Sequence, residues 1–439
     1  DVMATVELYK RSVDKIKLRK ALSEKYRVDM RNFNDVRMGE MIMLKSLCDD
    51  MGIRLSDGKK LRTYRREIKL QDCLLPHIKF ESKEFNKILD YYKSTTITTT
   101  RKTTDLRVVF DDLEYVYGLG GLHACRPSGI YRNIKSADVK SYYPNLAISY
   151  GFRPQQFGDT FTKVYKQMYE ERTRHPKGSD ENAAFKLALN GLFGKSNSEY
   201  SAFYDPMFTM QITLNGQLLL SMLCEAITLC GAGRIVMVNT DGIEVEIFSQ
   251  QKFHQVCDMW MFENNLELEF ADYKFLGLRD ANAYIAVKQN GDIKSKGGPF
   301  TVEKELHQDH SMRIIPLAIQ NYFVKNIPVE KTINECRDIS MFLIGERAKT
   351  GRFTYVSIVN SELIEEPLQK TLRYYMGGGT NMVYKSTDKK REKIQRTGSV
   401  VLFNEWVDKP FEEYGVDKRF YMREANKIIN SVLNQQTRI

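Results

Sequence analysis

Two aspartates hold the most specific chemistry in this sequence. Asp138 follows Ile134-Lys135-Ser136-Ala137 at the expected end of a strand, where its carboxylate and an inward Val139 carbonyl would suit a hard cation. Asp241 lies in Asn239-Thr240-Asp241-Gly242, between the apolar runs that begin at Ile235 and Ile243. Asp-Gly is a strong hairpin pair, and turns explain most such pairs. Between the two aspartates, Lys186, Asn190 and Phe193 stand at i, i+4 and i+7 and share one helical face. Tyr117-Gly118-Leu119-Gly120-Gly121-Leu122-His123 adds a glycine pair whose N–H groups can hold phosphate, a weak signal by itself.

These residues need a sheet and helices behind them. Ile243, Val245 and Ile247 alternate with Glu244 and Glu246, a half-buried strand pattern. Ile212, Leu214, Leu218–Leu220 and Leu223 predict a helix over 210–230 lying under that sheet. Phe161, Val164, Tyr165, Met168 and Tyr169 recur at helical spacing, with Lys163, Lys166, Arg172 and Arg174 between or beyond them. His175-Pro176-Lys177-Gly178-Ser179 then breaks the pattern, and Ser179 or Asp180 can cap the helix that carries Lys186. Earlier in the chain, helices are expected over Asp35–Met51, stopped by Gly52, and over Phe85–Tyr92. The threonine-rich stretch 94–103 reads as a strand or a connector. Lys288–Gly298 reads as a basic hairpin turning at Asn290-Gly291. Beyond 303, helices are expected over 313–325, 331–345 and 417–433, with a turn at Arg373-Tyr374-Tyr375-Met376-Gly377-Gly378-Gly379.

Composition agrees with this chemistry without naming it. Lys plus Arg is 66 and Asp plus Glu is 56, and the resulting +10 suits a polyanionic partner. The 24 Tyr and 23 Phe serve mainly as core, but flat rings also stack on bases. At 439 residues, two or three subdomains are expected. The seven cysteines form no CxxC pair, which argues against a thiolate zinc site or a disulfide scaffold and fits a reducing compartment. No stretch approaches eighteen unbroken apolar residues and no signal-peptide pattern opens the chain. A cytoplasmic protein is expected, in the host cytoplasm if viral.

In order and spacing, three stretches resemble the polymerase motifs of the family B DNA polymerases. They are Asp138-Val139-Lys140-Ser141-Tyr142-Tyr143-Pro144, Lys186-x-x-x-Asn190-x-x-Phe193-Gly194 and Asn239-Thr240-Asp241-Gly242. Within that family the chain looks most like a phage or mobile-element replicase. The resemblance implies an α+β, right-hand polymerase fold: a palm sheet carrying two carboxylates, short helical fingers and a thumb. Residues 1–110 would be a remnant of an exonuclease domain with linking helices. Residues 111–160 and 201–300 would be palm, 161–200 fingers, and 301–439 thumb and C-terminal region. Asp1 resembles the last exonuclease carboxylate, so proofreading is expected only in a longer parent chain.

The implied activity is that of a DNA-directed DNA polymerase working by two-metal nucleotidyl transfer. Asp138, Val139 and Asp241 would hold two Mg²⁺ ions, with Mn²⁺ able to substitute. Lys186 would touch the triphosphate. Ser141, Tyr142, Tyr143, Arg172, Asn190 and Phe193 would surround the nucleotide, with the Tyr143 ring filling the space that a 2′-hydroxyl needs. Gly120, Gly121, Lys195, Tyr284, Lys294 and Lys296 would contact DNA. The basic run Lys385–Arg396 would hold duplex phosphates. Partners would be primer-template DNA, deoxynucleoside triphosphates, and a processivity factor or replisome proteins, with no membrane.

The sequence departs from the family pattern at five places. Tyr142 stands for the usual Leu, Phe193 for Tyr, Asn239 for Asp and Asn282 for Lys, and Gly191 after Asn190 is also a variant. Asn239 offers a neutral oxygen and leaves the site one negative charge short. Two other readings follow: a non-catalytic nucleic-acid-binding protein on a decayed palm, and a ribonucleotide-using or reverse-transcribing palm polymerase. Tyr143 and the Lys186 helix disfavour the last.

Overall fold

The computed structural model describes residues 2–98, 100, 105–306, 308–359, 362–394 and 398–433. Helices and antiparallel sheets mix throughout, and the chain divides into two compact units. One contains residues 1–125 and 135–271, the other residues 126–134 and 272–439. Asp1, Thr99 and residues 101–104, 395–397 among the sequence expectations lie outside the described residues.

The first unit opens with α1 (Val2–Tyr26), α2 (Asp35–Met51) and α3 (Lys83–Ser94). Asn34 caps α2 by accepting the Arg37 N–H at 2.9 Å, and Gly52 ends it in the left-handed region at φ +66°. Strands β1 (Leu106–Phe110), β2 (Leu113–Tyr117), β3 (Leu122–Cys125) and β4 (Gly129–Val139) follow. Next come α4 (Tyr142–Tyr150), α5 (Gly158–Arg174), α6 (Asp180–Ser196) and α7 (Pro206–Leu229). Strands β5 (Gly233–Asn239) and β6 (Gly242–Ile247) and helix α8 (Gln250–Asn264) complete the unit. Of β4, only Lys135–Val139 belong here. The strands lie in the order β4-β6-β5-β3-β2-β1.

Two packing details place the helices that matter. Gly39 of α2 lies flat on α6: a Cβ there would sit 2.7 Å from the Ala188 nitrogen and 2.8 Å from the Leu187 carbonyl carbon. Only a glycine allows that approach. Ser179 caps α6, accepting the Asn182 N–H at 3.2 Å. Helix α7 contains the expected apolar stretch and is buried on nearly all sides, with Leu218, Leu219, Leu220 and Leu223 inaccessible. Each such leucine contributes about 1.5–3 kcal/mol by leaving water. Among the described residues α7 alone is long and apolar enough to cross a membrane, and 78% of its apolar window is buried, as in a core helix.

The second unit has its own core around Ile314, Ile319, Phe342, Tyr374 and Tyr421. It takes most of β7 (Leu268–Asp280), then β8 (Ala283–Lys288) and β9 (Ile293–Lys296), paired antiparallel in that order. Helices α9 (Ile314–Lys325) and α10 (Val329–Glu335) follow. The helix expected over 331–345 therefore ends early: Cys336 is extended, and the chain enters strand β10 (Ile344–Arg347). Strands β11 (Arg352–Val359), β12 (Glu362–Leu368), β13 (Thr371–Gly377), β14 (Met382–Ser386), β15 (Arg391–Lys393) and β16 (Ser399–Leu402) precede α11 (Lys418–Leu433). They form two sheets, β10-β13-β16 and β12-β11-β14-β15. Of the stretch expected as a turn, residues 373–377 lie in β13, with Tyr374, Tyr375 and Met376 in the core, and the chain bends only after them, at Gly378 and Gly379.

Candidate active site

The two aspartates meet where β4 ends beside β6. The Val139 N–H donates to the Asp241 carbonyl at 2.7 Å, which joins the strand end to the turn. Gly242 comes next, and a Cβ on it would lie 1.9 Å from Asp138 Oδ1 and 3.0 Å from its Cγ. The Asp138 carboxylate thus occupies the space a side chain at 242 would need. That corrects the reading of Asp241-Gly242 as a turn pair. Gly242 has no positive φ and begins the strand; it is glycine because a carboxylate lies against it.

The turn itself sits one residue earlier. The Asp241 N–H donates to the Asn239 carbonyl at 2.7 Å, closing a three-residue turn around Thr240. Thr240 has φ +62°, in a region that β-branched residues rarely enter. Holding it there costs about 1–3 kcal/mol. The neighbours that hold it are visible. The Thr240 N–H donates to the Leu122 carbonyl at 2.9 Å, and a Cβ on Gly121 would lie 2.9 Å from Thr240 Cγ2. Asp138 is half-buried, and Asp241 is exposed at the tip.

Tyr142 and Tyr143 start α4 behind this turn, after Ser141 in the left-handed region at φ +46°. Tyr142 is in the core: its ring is buried and its hydroxyl donates to the Gly216 carbonyl at 2.7 Å. That corrects its expected place at the nucleotide; it backs Tyr143. The Tyr143 ring lies 4.7 Å from that of Phe193, and its hydroxyl donates to the Gly120 carbonyl. Burial, with the Asp241 charge adding, pushes the Tyr143 phenol up from its ordinary value, so it is a proton donor at any physiological pH.

Arg172, from the end of α5, donates to Ser141 Oγ at 3.2 Å, and burial lowers its pKa from the usual value. Lys186 is exposed on α6. Asn190 is on the same helix, with its side chain outside the described residues. Turn, tyrosine, Arg172–Ser141 pair and α6 all belong to the first unit.

No family model matches this sequence, and no curated protein matches it. Among solved structures, it is similar to the family B DNA polymerase from the hyperthermophilic archaeon Pyrobaculum calidifontis. The TM-score is 0.51 at 13% identity, over 98% of this chain and 55% of that one. The fold is DNA polymerase-like. At that identity the likeness extends to the fold alone, and this chain spans about half the length of that polymerase.

The remaining candidates divide by unit. In the first, Gly120 is exposed and Gly121 buried, and Lys195 makes an ion pair with Glu40 at 3.3 Å. In the second, the Tyr284 side chain is only 4% exposed, which corrects its expected contact with DNA: the ring is core. Lys294 and Lys296 lie two apart on β9, with Lys294 Nζ 5.9 Å over the Tyr273 ring. Of the basic run, Arg391 pairs with Glu365 at 2.8 Å and Lys390 with Glu392 at 2.7 Å.

Sequence reasoning missed the structural work of Thr240 and Gly242. The only available signal was a glycine opening a strand directly after an aspartate. The site's donors fit a magnesium ion. Both side chains offer hard oxygens, and the glycine leaves the Asp138 carboxylate a place beside the turn that a Cβ would fill. Among the described residues no group of three or more His, Cys, Asp or Glu could hold a metal. Two carboxylates with the rest left to water and phosphate is the usual way Mg²⁺ is held.

Proposed function

We propose that the chain is a DNA-templated DNA polymerase that adds deoxynucleotides to a primer 3′-hydroxyl, in phage-type genome replication in the cytoplasm. The observation that carries this reading is the packing of Gly242 under the Asp138 carboxylate, one residue from Asp241. Asp138 and Asp241 would hold two Mg²⁺ ions, which supply an activated primer hydroxyl and a counter-charge for the leaving pyrophosphate. Arg172, Ser141 and Lys186 bind the triphosphate, where fixed positive charge offsets the charge that develops on the phosphoryl oxygens. The Tyr143 ring, braced by Tyr142 and Phe193, fills the volume of a 2′-hydroxyl. Gly120, Lys294 and Lys296 hold DNA backbone.

A second reading rests on Asn239, which removes one carboxylate from the turn and suits a nucleic-acid-binding scaffold without catalysis. Primed DNA, Mg²⁺ and either deoxy- or ribonucleotides separate the two. Extension with deoxynucleotides is expected. Binding without extension would leave the scaffold, and equal use of ribonucleotides would remove the sugar-selecting role of Tyr143.

A further inference from the structure

We propose that the Gly118–Leu122 loop is a positioning device for sugar selection: its Gly120 carbonyl fixes the Tyr143 ring while its other end fixes the Asp241 turn. The inference rests on the polymerase reading above. Four ties carry it. Gln217 Nε2, from α7, donates to the Gly118 carbonyl, and the Gly118 N–H donates to the Gly121 carbonyl at 3.3 Å. The Tyr143 hydroxyl donates to the Gly120 carbonyl. The Leu122 carbonyl accepts the Thr240 N–H at 2.9 Å.

The two central glycines have different reasons to be glycine. A Cβ on Gly121 would press on Thr240, whereas one on Gly120 would meet nothing within 4 Å. Gly120 has no positive φ either, so the fold does not require it to be glycine. Its outer face is open while its carbonyl holds the tyrosine from behind. A ring gives strict size exclusion only while it cannot swing away. Tyr143 has Phe193 on one side and Gly216 against its edge, with a Cβ at 216 only 3.5 Å from its Cε1. The hydroxyl tie closes the remaining direction. A residue on α7 that never touches the nucleotide, Gln217, thereby acts on which sugar is admitted.

The test is Tyr143→Phe, which keeps the ring and removes the tie, beside Gln217→Met, which loosens the loop from a distance. The ratio of kcat/KM for deoxy- over ribonucleotides should fall roughly three- to tenfold in Tyr143→Phe, the worth of one hydrogen bond. It should fall in the same direction, by about twofold, in Gln217→Met. A general weakening of the protein would lower both nucleotides together and leave the ratio alone. Hydrogen exchange at the Thr240 amide, which bonds to Leu122, should quicken in Tyr143→Phe. An unchanged ratio in an active protein overturns the proposal and leaves the polymerase reading intact. If the unmodified protein extends no primer, the polymerase reading falls and sugar selection falls with it. Unchanged exchange at Thr240 then also removes the loop tie, and faster exchange retains it.

Discussion

Two hairpins in this molecule share a plan and differ in how their turns are made. In the first unit, β5 and β6 are joined through Asn239-Thr240-Asp241, with a β-branched residue at φ +62° and no glycine at the tip. In the second unit, β8 and β9 are joined through Asn290-Gly291, with Gly291 at φ +89°. The second turn is satisfied mostly by its own residues, with one outside tie from the Gln289 N–H to the Asp272 carbonyl at 3.1 Å. Asn290 Oδ1 accepts the Asp292 N–H at 3.0 Å, the Lys288 N–H donates to the Asp292 carbonyl at 2.8 Å, and glycine takes the left-handed position. The first turn is held from outside, by the Leu122 carbonyl, the face of Gly121 and the Val139 N–H bonded to Asp241. Strain held in place by neighbours is a common mark of a functional site. In the proposed reading, what the strained turn would aim is the Asp241 carboxylate.

Removing that carboxylate should produce the largest effect. Asp241→Asn is nearly isosteric and should cut nucleotide addition at least about 10³-fold while primer-template binding and thermal midpoint stay close to the parent. Asp292→Asn, at the matching place in the relaxed hairpin, should leave the extension rate within a factor of about two. Near-parent extension by Asp241→Asn would reduce the first hairpin to an ordinary turn.

Geometry without chemistry comes next. Gly242→Ala deletes no functional group, yet its methyl would lie 1.9 Å from Asp138 Oδ1, so the carboxylate must move. A displacement of that order should lower kcat about 10²-fold. Gly298→Ala, with nothing within 4 Å of the added carbon, is the paired control and should be silent. If Gly242→Ala is equally silent, Asp138 does not act from the position described.

Much of the frame was legible because local chemistry decided it. Asn34 and Gly52 delimit α2, Ser179 starts α6, and Gly291 turns β8 into β9, each through a bond or backbone angle that its residue type favours. The misreadings fall where long-range packing decided instead. The glycines after Met376 suggest a turn, but Tyr374, Tyr375 and Met376 pack with Phe342, Phe403, Tyr414 and Tyr421 in the core of the second unit. Tyr284, expected at DNA, stands on β8 with its ring buried. At the candidate site the residue types were readable, because aspartate, lysine and tyrosine announce their chemistry. The strain at Thr240 was not, since no local signal places a threonine in the left-handed region. It exists because Leu122 and Gly121 arrive from another strand.

That strain gives a prediction of opposite signs at the two turns. Thr240→Gly should relax the first turn and raise stability by about 0.5–1 kcal/mol, read by denaturant unfolding. The looser turn should lower kcat about tenfold, since a mobile carboxylate spends less time in place. Gly291→Ala should do the reverse, losing about 1 kcal/mol of stability with extension unchanged. Both substitutions moving stability in the same direction would end the contrast between a strained and a relaxed turn.

The smallest expected effect belongs to the relaxed hairpin, and its character differs from everything above. Lys294 and Lys296 lie two apart on β9, where their contribution to DNA binding would be charge rather than position. Each phosphate neutralised releases counterions, so the logarithm of affinity falls with the logarithm of salt at a slope of about 0.9 per contact. Lys294→Ala with Lys296→Ala should flatten that slope by roughly one to two and weaken binding about equally on unrelated primer-templates. Arginine at both positions keeps the charge and should restore the slope, whereas no substitute should replace Asp241 at the strained turn. Titrations of primed DNA between low and moderate salt read the slope directly. A slope unchanged by the double alanine variant would mean that β9 does not touch backbone and that the paired lysines are solvated surface. A loss confined to one template sequence would mean that the hairpin reads bases, which a point charge on a flexible stem is poorly built to do.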